Sequence, residues 1–160
     1  MSMTKIIYKT GDATVPDTSG SAVIAQICND LGRWGKGFVV AVSARWKQPE
    51  LAYRDWYEQR EFNDFGLGAV QFVRVTPDVH VANMIGQHGI RSSAGGAPIR
   101  YEAVDQALEK LAEFAAVSNA SVQMPRIGCG LAGGSWDRIE PLIHARLSSR
   151  SISVVVYDLE

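Results

Sequence analysis

Apolar positions along this chain follow two rhythms that replace one another from end to end. Ala22-Val23-Ile24-Ala25-Gln26-Ile27-Cys28 is almost unbroken in apolar character, the pattern of a strand covered on both faces. Lys5-Ile6-Ile7-Tyr8, the stretch from Ser121 to Met124, and Ile152-Ser153-Val154-Val155-Val156-Tyr157 read as further strands. Two more, Ala69 to Val75 and Val79 to Ile85, flank Thr76-Pro77-Asp78, whose turn chemistry predicts a hairpin. The helical rhythm is clearest in Val104, Ala107, Leu108, Leu111, Phe114 and Ala115. Ile139, Leu142, Ile143 and Leu147 mark another helix, which Pro141 either bends or delays to about Asp137. Helical segments from Phe38 to about Trp46 and from about Glu50 to Phe62 precede the hairpin. Gly86 to Pro98 is rich in Gly, Ser and Ala and is expected to be a mobile surface loop. Strands alternating with helices predict the α/β class, with a largely parallel sheet covered on both sides and ligands beyond the carboxyl ends of its strands.

Composition narrows this picture. A chain of 160 residues that is 46% hydrophobic can bury one sizeable core but not two, so residues 1–160 are expected to form a single domain. With 16 Lys and Arg against 17 Asp and Glu, the formal charge of -1 leaves no footprint for wrapping duplex nucleic acid or coating a membrane. Any anionic ligand must be gripped locally. No apolar run approaches the roughly 18 residues of a membrane span, and Met1 to Thr10 lacks the features of a signal peptide, so a cytoplasmic protein is expected. Cys28 and Cys129 form no Cys-x-x-Cys, and His80 and His144 have no partner at ligand spacing, so neither disulfide, metal nor cofactor is expected.

Two glycine-rich loops carry the candidate chemistry. Asn29-Asp30-Leu31-Gly32-Arg33-Trp34-Gly35-Lys36-Gly37 and Pro125-Arg126-Ile127-Gly128-Cys129-Gly130-Leu131-Ala132-Gly133-Gly134 each lie where a strand ends and a helix begins. There, successive amides can face an anion with no Cβ in the way. Neither has the spacing of a nucleotide-triphosphate loop or a dinucleotide fingerprint. Cys129 beside His88 would make a nucleophile, although a small residue in a tight loop is the simpler reading.

Together with Gly11-Asp12-Ala13-Thr14 and the ending Val155-Val156-Tyr157-Asp158-Leu159, these loops give a pattern that resembles macrodomains over essentially the whole chain. It is similar to the macrodomain of a poly-ADP-ribose-activated chromatin remodeller, to the terminal ADP-ribose protein glycohydrolase, and above all to stand-alone actinobacterial macrodomain proteins. The resemblance implies a three-layer α/β/α fold with a six-stranded mixed, mostly parallel sheet. It further implies that Asp12, with Ala13, accepts a hydrogen bond from adenine and that Tyr157 stacks on the base. Gly35, Lys36, Gly37 and Phe38 would border the diphosphate and distal ribose, and Gly128, Cys129, Gly130, Leu131, Ala132 and Gly133 would wrap it from the other side. Asp12 as a turn cap and Tyr157 as edge packing stay open beside these roles.

Catalysis is where this sequence departs from the pattern. The glycohydrolase uses a lysine and an aspartate, and the matching places here hold Gln87 and Ala132. An amide forms no Schiff base and a methyl group is no general base. What is left is a water positioned by Gln87 or Asn29 against a weak ester bond. The resulting expectation is a bacterial, monomeric hydrolase that binds ADP-ribose and removes mono-ADP-ribose from Glu or Asp side chains of modified proteins. The alternatives are a non-catalytic ADP-ribose reader, or a hydrolase of O-acetyl-ADP-ribose or ADP-ribose phosphate. ADP-ribosylated nucleic acid is a further candidate partner, and no membrane is expected.

Overall fold

The computed structural model describes residues 4–16, 19–92 and 96–159. Its strands are β1 (Ile7–Thr10), β2 (Ala22–Asn29), β3 (Val70–Arg74), β4 (Val79–Gln87), β5 (Ser121–Met124) and β6 (Val154–Asp158), and its helices are α1 (Phe38–Arg45), α2 (Gln48–Glu58), α3 (Tyr101–Ser118) and α4 (Trp136–Arg146). The strands form one six-stranded sheet in the order β1-β6-β5-β2-β4-β3. All neighbours run parallel except β3 against β4, the hairpin that Thr76-Pro77-Asp78 predicts. The expected α/β/α layering with a mixed, mostly parallel sheet is therefore the observed one.

Period-two alternation along β2 divides the core. Val23 and Ala25 face α3 and α4, in a cluster with Val104, Leu108, Leu111, Ile139 and Ile143. Ile24 and Cys28 face the other way, with Val42 of α1 and Tyr53 and Trp56 of α2. The helical spacing of α3 buries Val104, Ala107, Leu108, Leu111 and Ala115. Removing one large member, as in Leu108→Ala, would cost about 2–5 kcal/mol. The helix stops at Asn119, which takes the left-handed conformation at φ 50°.

Several boundaries differ from the sequence reading. β1 and β6 each begin two residues later than their apolar runs, because the ladder Ile7↔Val155 to Thr10↔Asp158 sets their shared register. α2 ends at Glu58, and a separate 3-10 turn covers Arg60–Phe62. α4 starts at Trp136 and keeps Pro141 inside. The expected loop from Gly86 is not a loop at its start. Gly86 and Gln87 belong to β4, where the Asp30 amide donates to the Gln87 carbonyl at 3.0 Å and the Arg100 amide to the Gly86 carbonyl at 2.8 Å. Residues 93–95 of that stretch lie outside the described residues. Among the described residues no helix is long and apolar enough to cross a membrane.

Candidate functional site

The parallel strands β2, β5 and β6 all deliver their carboxyl ends to one edge of the sheet, and both glycine-rich loops rise there. Side chains brace the first loop. Asn29 Oδ1 accepts from the amides of Leu31 (2.9 Å) and Arg33 (3.2 Å), while its Nδ2 donates to the Arg33 carbonyl at 2.8 Å. The Tyr53 hydroxyl of α2 lies 2.6 Å from the Asn29 carbonyl and 3.0 Å from Asn29 Oδ1. The loop closes on Gly37, which caps α1 at φ 83° and so requires glycine.

The second loop is held by main-chain hydrogen bonds, among them two within the loop. Gly134 N–H donates to the Gly128 carbonyl at 2.7 Å, Gly133 N–H to the Gly130 carbonyl at 3.0 Å, and Ile99 N–H to the Ala132 carbonyl at 3.0 Å. Among the described residues, the amides of Gly35, Lys36 and Gly37 in one loop and of Gly130, Leu131 and Ala132 in the other have no acceptor in the protein. Clustered main-chain donors of this kind are able to hold an anion.

Two adjoining cavities lie between the loops. One, of about 250 Å³, is bordered by Gln26, Lys36, Gly37, Phe38, Gly128, Gly130, Leu131 and Ala132. The other, of about 360 Å³, is bordered by Asn29, Arg33, Gly35, Lys36, Gln87, Arg91 and Leu131. Gln87 and Leu131 line both, and Leu131, 66% exposed, leans toward Gly37, where a Cβ would meet its Cδ1 at 3.9 Å. Among the described lining residues every charged side chain is basic: Lys36 and Arg126 in the first cavity, and Arg33, Lys36 and Arg91 in the second. Arg126 is partly neutralised by Asp158, at 2.6 and 3.0 Å. Among the described residues no group of His, Cys, Asp and Glu could hold a metal.

The remaining candidates sit elsewhere. Ala13, Tyr157 and Val155 form a small cluster against Phe38, which joins it to the first cavity. Tyr157 is only 5% exposed and donates its hydroxyl to Gln123 Oε1 at 2.6 Å, so its ring is a wall and offers little open face for stacking. Asp12 caps the turn, with Oδ1 accepting from the Thr14 amide (2.8 Å) and hydroxyl (2.7 Å). Cys129 points its thiol at the Ile127 carbonyl, 3.4 Å away, and burial pushes its pKa up. His88 is engaged with Asp30 at 2.7 Å, so no Cys129–His88 pair exists. Gly133 borders a separate cleft beside the start of α3. Asn29, expected to position a water, spends its carboxamide oxygen on the amides of its own loop instead. Gln87 Nε2 donates to the Gly89 carbonyl at 2.9 Å. The sequence reading missed Gln26 and Arg33. The signal for Gln26 was a lone amide in an otherwise apolar strand.

No family model matches the chain. A macrodomain protein from Streptomyces coelicolor is 60% identical, with a TM-score of 0.88 over 96% of this chain and 99% of that one. The chain belongs to the macrodomain family. A solved Bacteroides thetaiotaomicron protein is 56% identical to this macrodomain, with a TM-score of 0.95 over 98% of this chain and 99% of that one. Mouse chromodomain-helicase-DNA-binding protein 1-like is 30% identical over 96% of the macrodomain, which spans only 18% of that relative's length. A variant Oceanobacillus iheyensis macrodomain, solved with ADPR (ADP-ribose), shares the fold at 17% identity and a TM-score of 0.70, over 95% of this chain and 83% of that one.

Proposed function

We propose that this macrodomain, as one domain spanning the chain, binds ADP-ribose along the two adjoining cavities and hydrolyses the ester linking ADP-ribose to glutamate or aspartate side chains. The observation that carries the reading is the pair of opposed loops whose amides at Gly35 to Gly37 and Gly130 to Ala132 lack acceptors. A diphosphate matches them in charge, and main-chain donors let a chain of net charge -1 hold a dianion. The Oceanobacillus macrodomain, solved with ADP-ribose on the same fold, supports that choice of ligand. The distal ribose then falls in the cavity of Asn29, Gly35 and Gln87, and the adenosine extends past Phe38 toward Ala13, Asp12 and Tyr157.

Hydrolysis in this site rests on position and charge. Gln87 Oε1 orients a water toward the anomeric carbon of the distal ribose. The new C–O bond forms as the bond to the carboxylate oxygen breaks, and the water's proton passes to a substrate phosphate or to solvent. The departing carboxylate is negative, and Arg33, Lys36 and Arg91 supply the only charges around it among the described lining residues. Positioning can contribute several kcal/mol, while the lack of a general base costs roughly 10²- to 10⁴-fold, so turnover is slow. Arginine-linked ADP-ribose, with its poorer leaving group, stays intact.

A second reading, a reader without turnover, is favoured by the absence of any carboxylate among the described lining residues of either cavity. One experiment separates them. The protein is incubated with mono-ADP-ribose carried on Glu, Ser, Arg or nucleic acid, or as O-acetyl-ADP-ribose, and free ADP-ribose is measured. Release from Glu alone is the expected result. Tight binding with no release from Glu over hours would leave the reader, and release from another carrier would reassign the linkage.

A further inference from the structure

Two arginine side chains in this macrodomain stand apart from the rest. Every other arginine of the chain has a partner: a carboxylate, as for Arg126 and Arg146, a main-chain carbonyl, as for Arg74 and Arg100, or an aromatic ring, as for Arg45 and Arg138. Arg33 and Arg91 do not. Among the described residues their side chains have no ion pair, hydrogen bond or ring contact, and both are exposed.

Arg33 belongs to the first glycine-rich loop and Arg91 follows the end of β4, yet both border the same cavity, the one assigned above to the distal ribose. Neither borders the other cavity. Asp30, the acid nearest to Arg33 in sequence, does not neutralise them, because one of its oxygens accepts from the Gly89 amide at 2.8 Å and the other meets His88 at 2.7 Å. Two uncompensated guanidinium groups therefore stand at one end of the groove.

ADP-ribose itself offers these groups no anion. On the reading above its diphosphate meets the loop amides and Lys36, which borders both cavities, and its distal ribose is uncharged. A carboxyl group joined to that ribose as an ester is neutral until the bond breaks. Standing negative charge for Arg33 and Arg91 has to come from the rest of the carrier.

We propose that Arg33 and Arg91 select carriers in which the modified residue is flanked by further acidic side chains, so that the substrate class is an acidic peptide segment. This rests on the ADP-ribose reading and on its placement of the distal ribose, and it names the kind of carrier which that reading leaves open. A peptide is favoured over a single-stranded nucleic acid because the apolar lining of this cavity is aliphatic, from Ile27, Val39, Ile90 and Leu131, and gives no ring on which a base could stack.

The test uses peptides of one length that carry a single ADP-ribose through a stable aminooxy linkage, with flanking positions all Glu, all Gln or all Lys. Free ADP-ribose and a single-stranded oligonucleotide bearing ADP-ribose are measured beside them. The labile ester is absent, so affinities read by calorimetry do not depend on turnover. On the wild type at low salt the Glu-flanked peptide should bind about three- to tenfold tighter than the Gln-flanked one, with the difference shrinking at high salt. In the double variant Arg33→Gln, Arg91→Gln that ratio should fall to about one, and in Arg33→Glu, Arg91→Glu the Lys-flanked peptide should lead. Neither side chain has a partner to lose, so both variants should melt close to the wild type. Equal affinity for all three peptides on the wild type, a Glu preference that survives Arg33→Gln, Arg91→Gln, or tighter binding of the oligonucleotide than of the Glu-flanked peptide would overturn the proposal while leaving ADP-ribose binding intact. A wild type that does not bind free ADP-ribose would remove both.

Discussion

The two glycine-rich loops border the same pair of cavities, yet they are held in opposite ways. The first depends on side chains brought from elsewhere: Tyr53 reaches Asn29, Arg54 reaches toward the carbonyls of Gly32 and Trp34, and the Tyr57 ring packs against Gly32. The second depends on the close approach of its own backbone, which glycine alone permits at Gly134. Side-chain bracing can be loosened one contact at a time. Backbone contact has no intermediate setting, so the second loop should fail abruptly where the first degrades by steps.

Gly134→Ala should give the largest effect. A Cβ there would stand 2.4 Å from the Gly128 carbonyl oxygen, with only backbone to move. A loss of about 2–4 kcal/mol is expected, or a fall of roughly 5–15 °C in Tm, with ADP-ribose affinity falling at least about tenfold. Unchanged melting and binding would end the claim that this loop is built by backbone contact.

Tyr53→Phe removes the hydroxyl that meets Asn29 and should cost about 1–2 kcal/mol. Hydrogen exchange supplies the sharper reading. Amides of Leu31 and Arg33 should exchange faster, and those of Gly133 and Gly134 should not. If both loops loosened together, the contrast between them would be false.

Gly35→Ala isolates binding from folding, since nothing lies within 4 Å of the Cβ it would add and its φ is not positive. Stability should stay within about 0.5 kcal/mol, while ADP-ribose affinity drops roughly two- to fivefold because the methyl group sits beside an unpaired amide. Equal affinity would take that amide out of the site.

Cys129→Ala should do least. Burial raises the thiol's pKa, so near neutral pH the group is protonated both in the site and in its ordinary state, and no thiolate is lost on substitution. ADP-ribose release from glutamate-linked substrate should remain within about twofold, with an unaltered pH profile from 6 to 8. A collapse in rate would restore a cysteine nucleophile.

Much of this was legible in the chain. The apolar run at β2 and the helical spacing of α3 name their own structures, since each buries enough surface to decide its conformation locally. The edge strand β1 was misplaced because its register belongs to β6, a partner more than a hundred residues away in sequence. The loop compositions suggested an anion site, but that the Cys129 thiol turns to the Ile127 carbonyl and that Gly133 borders a second cleft became visible only in the turn geometry.

The sequence by itself determined the layers, the strand-to-helix junctions and the glycine positions, because these follow from hydrophobic period and from where a Cβ is missing. Which way each buried amide points was decided only in the tertiary structure. Gln26, Asn83 and Gln71 are unremarkable polar residues on three separate strands, and their shared direction comes from two carbonyls of α2 that meet them only once the sheet and helix are packed. The same holds for Asn29 and Tyr157, each plausible as a ligand contact in sequence, whose polar atoms the fold engages with Tyr53 and Gln123. Hydrophobic pattern acts through neighbours along the chain, whereas hydrogen-bond allegiance is settled among neighbours in space.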